Sequence, residues 1–217
     1  MIEPAKINGN VTAGPMTAVM ETIYKRRSVR AYSPQSLPRN LIKAVIDAGN
    51  QAPSRGRDVD GEFHFQPWRF VVAEDPELKK KLIQTTSPIW KKSVEGMKES
   101  HPDTYKKAMS GYELMSEPRD PVFYSAPVIL FVIGPATHAI SCALACENIM
   151  LAATSLGLGS CYVGFGAMIT HNNELIQVLG LNNEERIFGP ILLGYAKDSD
   201  DLHSTRTQKK DALIKWT

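Results

Sequence analysis

The chain has 217 residues, 43% hydrophobic and 22% charged, enough to bury the core of one α/β-sized domain. Its 25 basic and 23 acidic side chains leave a net charge of +2, which excludes the global field that draws proteins onto nucleic acid or anionic membrane. Cys142, Cys146 and Cys161 follow no disulfide framework, and the start MIEPAKINGN has neither the charged nor the apolar region of a secretory leader, so a cytoplasmic location is expected.

Residues 1–15 are expected to form a tail, with folded structure from Met16. In MTAVMETIYKRR, Met16, Val19, Met20 and Ile23 recur at helical spacing, and the basic end suits a last helical turn. A second helix opens at Ser36 or at the Leu37-Pro38 step, carries the stripe Leu41, Ile42, Val45 and Ile46, and stops near Gly49. Gln51 to Gln66 reads as a long exposed loop, a length that invites function. PWRFVVAED predicts a strand entered after Pro67, and PVILFVIG at 127–134 predicts another. Both are expected to be central. Between them three helices are expected at about 76–85, 88–99 and 101–116, the last two forming a cover.

ATHAISCALACENIMLAATSLGLGS is the longest helical stretch, apolar on most faces and ended by Gly157 and Gly159. The longest candidate membrane run, around 126–135, is interrupted by Pro127 and Gly134, and no spanning segment is expected. NNELIQVLG predicts a short helix, RIFGPILLGYA a buried strand, and ALIKWT a terminal strand after a polar linker at 197–210. This order does not repeat the βαβ unit, so a doubly wound parallel sheet is not required.

Two runs carry candidate chemistry. KRRSVR at 25–30 puts Arg26, Arg27, Ser28 and Arg30 at a helix exit, either as a clamp for a phosphate or carboxylate or as a solvated basic face. SLGLGSCYVGFG sets four glycines after the long helix, which either lets backbone amides approach a planar ligand or simply makes a tight turn. Its spacing is not that of the dinucleotide fingerprint. The cysteines share no metal-ligand spacing with any histidine and read as small buried residues. No GxSxG elbow accompanies the scattered histidines, so hydrolase chemistry has little support. Glu147 and Asn148 interrupt the apolar helix and read either as an intersubunit or ligand contact or as surface positions.

Taken together, RRSVRAYSPQSLP, AGNQAPS followed by QPWRFVV, ENIMLAATSLGLGSCYVG and GPILLGYA resemble the FMN-dependent nitroreductase family, in an order that spans nearly the whole chain from about residue 20. The resemblance implies an α+β fold with a central, mostly antiparallel sheet flanked by helices, in an intertwined homodimer. It implies a single flavin-binding domain over 16–217, with a helical cover around 88–116 and an FMN groove built by both subunits. Arg26, Ser28 and Arg30 match the family's first flavin motif, with Arg27 in the same run. Pro53 and Ser54 match a loop that meets the flavin from the partner subunit, and Gln66 closes that motif. Tyr162, Val163 and Gly164 stand where family backbone amides approach the flavin N5 side. Arg206, Lys209 or Lys210 supplies a last basic contact to the phosphate. One departure is the longer loop RGRDVDGEF, which puts His64 where family members often carry an asparagine.

The activity so implied is NADH- or NADPH-dependent reduction of nitroaromatic, quinone or other small conjugated acceptors by a ping-pong cycle, with the redox chemistry on the flavin. Phe123, Tyr124 and Phe165 are candidate pocket aromatics, unless they belong to the core. Rival readings keep the flavin but give it other work, either dehalogenation, ring modification or non-enzymatic redox sensing.

Overall fold

The computed structural model describes residues 17–54 and 66–197. His64, Arg206, Lys209, Lys210, the tail at 1–15 and the ALIKWT strand lie outside them. The elements run α1 (Ala18–Lys25), α2 (Arg39–Asn50), β1 (Arg69–Ala73), α3 (Pro76–Glu95), α4 (Pro102–Glu113) and β2 (Val128–Pro135). Then come a short 3-10 turn (Ala136–His138), α5 (Ala139–Ser155), β3 (Gly159–Tyr162), a longer 3-10 helix (Gly164–His171), α6 (Asn173–Val178), β4 (Glu185–Ile187) and β5 (Ile191–Gly194).

The strands lie in the order β1-β2-β5-β3, with β4 paired to the far end of β2, and every strand pair is antiparallel. The unbroken apolar run of β2 requires cover on both sides. Ile129, Phe131 and Ile133 point into a core shared with Leu82 of α3, Ile169 of the longer 3-10 helix and Leu175 of α6. Val128, Leu130 and Val132 point the other way, onto Ile42 and Val45 of α2 and onto Cys142, Ala145, Cys146 and Ile149 of α5. The two-residue period of the strand thus divides one sequence between two cores. Gly49 lets α2 approach α5 closely, since a Cβ there would sit 2.8 Å from Ile149 Cγ1.

Several expectations change. The segments 76–85 and 88–99 form one helix, α3, which passes straight through Pro88. A mid-helix proline costs about 3 kcal/mol. Burial of Leu82, Thr86, Ser87 and Val94 on both sides of it offsets that cost, and Ser87 Oγ donates to Arg119 O at 3.1 Å. Within the described residues β1 pairs only with β2, so it is an edge strand, not a central one. RIFGPILLGYA is split into β4 and β5, because Gly189-Pro190 interrupts the ladder and proline has no N–H to give. Gly157, with φ +73°, ends α5 as expected, whereas Gly159 already belongs to β3.

By length and composition the helical stretch Ala136–Ser155 would suffice to cross a membrane. In this fold Ser141, Cys142, Ala145, Cys146, Ile149, Met150 and Ala153 of α5 are buried within the protein. Ile140 and Leu144 remain exposed on α5, as do Val19, Ile23 and Tyr24 on α1, which packs beside it.

Candidate functional site

The basic run leaves α1 and lies against β3. Ser28 bridges Ser160 in parallel, Val29 N donates to Ser160 O at 2.9 Å, and the Val29 side chain fills the space where a Cβ on Gly159 would stand. Two of the glycine-rich segment's roles therefore become clear: Gly159 admits the basic run, and the residues after it turn into the 3-10 helix beside Arg30. A cavity of about 230 Å³ opens there, lined by Arg30, Tyr162, Val163 and Gly164 together with Cys161 and Phe165, and closed by Trp90, Pro121, Val122 and Tyr124.

Arg30 is the only ionised side chain among those lining residues. Burial pushes the Tyr124 and Tyr162 phenols and the Cys161 thiol upward, which keeps all three neutral near pH 7. Among the described lining residues the cavity thus has aromatic walls, one positive charge and no acidic side chain, a donor set suited to a planar anionic ligand. Gly164 heads the longer 3-10 helix, whose first N–H the helix does not use, and a Cβ at this position would meet only Tyr162 Cε1, at 3.9 Å. Val163 N–H is committed to Pro190 O at 2.9 Å, so Gly164 is the better-placed amide.

Arg26 lies just outside this lining, its Nε 3.8 Å from Glu147 Oε1 on α5. Glu147 is exposed, so the charge that interrupts the apolar helix is a surface partner of the basic run, not a buried one. Asn148 Nδ2 donates to Ala48 O and ties α5 to α2. Arg27 donates to Tyr24 O and Arg26 O at the end of α1.

Pro53, Ser54 and Gln66 form a separate group beyond α2 and do not line the cavity. Gln66 N donates to Ser54 Oγ, Gln66 Nε2 to Asn50 O and Trp68 Nε1 to Asn50 Oδ1, so the residues on either side of positions 55–65 are tied together. Of the three candidate aromatics, Tyr124 and Phe165 line the cavity, whereas Phe123 is fully buried in the core. Trp90 was not legible as a wall residue. It stacks on Tyr112 of α4 with ring centroids 5.3 Å apart, and Arg119 lies 5.3 Å from the same Tyr112 ring. Nothing local in the sequence distinguishes it from a packing tryptophan.

A larger cavity of about 540 Å³ lies on the other side of the 120–125 loop, among Ile83, Lys79, Asp120, Phe123, Ser125 and Ile129. It contains none of the basic run or glycine-rich residues.

Residues 23–195 match the family model described as the nitroreductase family. The chain is 28% identical over 188 residues to an Archaeoglobus fulgidus protein named for NADH dehydrogenase and NAD(P)H nitroreductase activity, covering 87% of this chain and 91% of that one. A Bacteroides fragilis nitroreductase solved with bound FMN is 25% identical, with a TM-score of 0.63 over 92% of this chain and 95% of its own. A Desulfitobacterium hafniense nitroreductase, also with bound FMN, shares the fold with a TM-score of 0.70 at 23% identity, over 93% and 99% of the two chains. With its basic run, glycine-rich turn and two-faced antiparallel sheet inside the matched span, the chain belongs to the nitroreductase family.

Proposed function

We propose that the chain is an FMN-dependent oxidoreductase that draws hydride from NADH or NADPH and reduces a small electron-poor conjugated acceptor, such as a nitroaromatic or a quinone. The observation that carries this reading is the aromatic cavity in which Arg30 meets the Tyr162–Gly164 backbone. When bound there, FMN supplies hydride acceptance from the nicotinamide and delivery to the acceptor, in a ping-pong cycle. The chain supplies the grip and the shape. Arg30 would hold an anionic or polar edge of the cofactor, with Arg26 and Ser28 of the same run just outside the cavity lining to extend that grip, Gly164 would offer an amide without side-chain bulk, and Trp90, Tyr124 and Phe165 would exclude water and accept a flat ring.

The active unit in this reading is a homodimer. The cavity, at about 230 Å³, is smaller than the roughly 300–1,000 Å³ of ordinary ligand pockets, which supports a groove completed by a second copy. The Pro53, Ser54 and Gln66 group is available for that completion, since it stands away from the cavity of its own protomer. Ile140 at 79% exposure and Val19 at 68% supply apolar surface on α5 and α1 for such an interface.

The test is the absorption spectrum of purified protein, then anaerobic mixing with NADH and NADPH. A flavin band that bleaches with either donor and returns on adding a quinone is expected. Colourless protein that takes up no added FMN refutes the cofactor assignment, and bound flavin that neither donor bleaches refutes the nicotinamide-linked cycle.

A further inference from the structure

The larger cavity has no part in the flavin reading, and none of its lining residues also lines the smaller one. At about 540 Å³ it falls within the roughly 300–1,000 Å³ that small-molecule sites occupy. Its apolar wall is made by Ile83 of α3, Phe123 and Ala126 of the segment before β2, and Ile129 of β2 itself. Phe123, Ala126 and Ile129 are buried members of one core cluster and Ile83 packs against it, so this wall is the side of the core and not a scatter of exposed residues.

The charges on the lining are Lys79 and Lys80 against Glu77, Glu117 and Asp120, which leaves no positive surplus to select an anion. Glu77, Lys80 and Glu117 are exposed and screened by solvent. Asp120 is buried, but its carboxylate is spent on the backbone: Oδ1 accepts from Phe123 N at 2.7 Å and Val122 N at 3.3 Å, and Oδ2 from Ser125 N at 2.8 Å. Lys79 differs from the other four. Its half-buried Nζ donates to Pro127 O at 3.0 Å and to Ala126 O at 3.4 Å. An ammonium has three N–H groups, so these carbonyls leave one donor at the cavity wall.

We propose that this cavity is a second small-molecule site, separate from the flavin cavity, which takes an uncharged apolar ligand bearing one carbonyl acceptor. The carbonyl accepts from Lys79 Nζ, and the apolar body lies against Ile83, Phe123 and Ile129. An uncharged ligand suits the balanced lining, and a single acceptor matches the single spare donor.

The probe is prodan, an uncharged naphthyl ketone whose emission brightens and shifts to the blue away from water. Titrated into the protein with and without excess FMN, it is expected to bind with the same Kd of about 0.01–1 mM, the affinity of a ligand of that size. Ile83→Trp fills the cavity and should raise that Kd at least about tenfold. Lys79→Met keeps the length of the side chain and removes the donor, and should raise it about three- to tenfold, the range of one net hydrogen bond. Dimethylaminonaphthalene, the same ring system without the carbonyl, should respond to Ile83→Trp but not to Lys79→Met. Prodan that does not bind, or that FMN displaces, overturns the proposal, as does an unchanged Kd in either variant. An equal loss of both probes in Lys79→Met also overturns it, since that marks a packing role for the side chain. If Ile83→Trp does not fold, Lys79→Met with the two probes decides.

Discussion

Arg69 on β1 and Glu185 on β4 sit at opposite edges of β2 and reach each other at its end. Nε donates to Oε1 at 2.8 Å and Nη2 to Oε2 at 2.9 Å, a two-pronged pair, while Asn182 N donates to Oε2 at 3.2 Å. The same guanidinium donates to Leu179 O and Gly180 O, which tethers the end of α6 to the sheet. Glu185→Gln keeps the shape and removes the charge. Such charged bonds are worth about 1.5–3 kcal/mol, but the Arg69 side chain is 37% exposed and solvent screens it, leaving about 1–2 kcal/mol. For a chain of this size that corresponds to a Tm lower by about 2–8 °C at pH 7. The Arg69 hydrogen bond holds the Glu185 carboxyl below its ordinary value of 4.5. A carboxylate lowered in the folded state stabilises above its unfolded value and loses that contribution as pH falls through the folded one. The difference between wild type and Glu185→Gln should therefore be full at pH 6–7 and shrink below about pH 4.5. Paired thermal scans from pH 3 to 7 measure it. A difference that is absent at pH 7, or as large at pH 3 as at pH 7, refutes the argument from charge.

Arg30→Ala should weaken FMN binding at least about tenfold when apoprotein is titrated with FMN and the quenching of flavin fluorescence is followed, since charge-assisted bonds of about 1.5–3 kcal/mol are lost; an unchanged Kd removes Arg30 from the site. Gly166→Ala would put a Cβ 2.3 Å from Pro190 Cγ and 2.9 Å from Phe123 Cε1, neither of which can move aside easily, so a loss of about 1–3 kcal/mol or more is expected in denaturant unfolding. Gly164→Ala meets nothing nearer than 3.9 Å and should leave the midpoint close to wild type; equal midpoints for the two variants would refute the packing argument. Burial raises the Cys142 thiol to about 11 and Cys146 to about 12, and pushes Cys161 up as well. At pH 8 none of the three should react with iodoacetamide in native protein, and all should react in guanidinium chloride. One equivalent of native labelling would contradict their burial.

Local sequence determined most of the elements and the residue types at the site. The apolar period along 41–46 marks the buried face of α2. The uninterrupted run at 128–134 announces a strand covered on both sides, and the basic run and the glycine-rich turn supply the charged and low-bulk residues found at the smaller cavity. These features depend on periodicity and residue chemistry, which are properties of neighbours in the chain.

Tertiary structure decided what depends on distant partners. Pro88 signals a helix end, yet α3 continues because burial on both sides outweighs one lost hydrogen bond. The apolar β1 reads as central and stands at an edge, since pairing is settled by which strands arrive beside it. Phe123 and Tyr124 are adjacent aromatics that sequence cannot tell apart; in the turn that the Asp120 carboxylate holds through bonds to three backbone amides, one is buried and the other lines the smaller cavity. Trp90 joins the wall only because α3 runs on past Pro88 to carry it there. Residue type offered a basic run and a low-bulk turn, while the cavity that brings them together required contacts between segments about 30 to 135 positions apart, which no local pattern encodes.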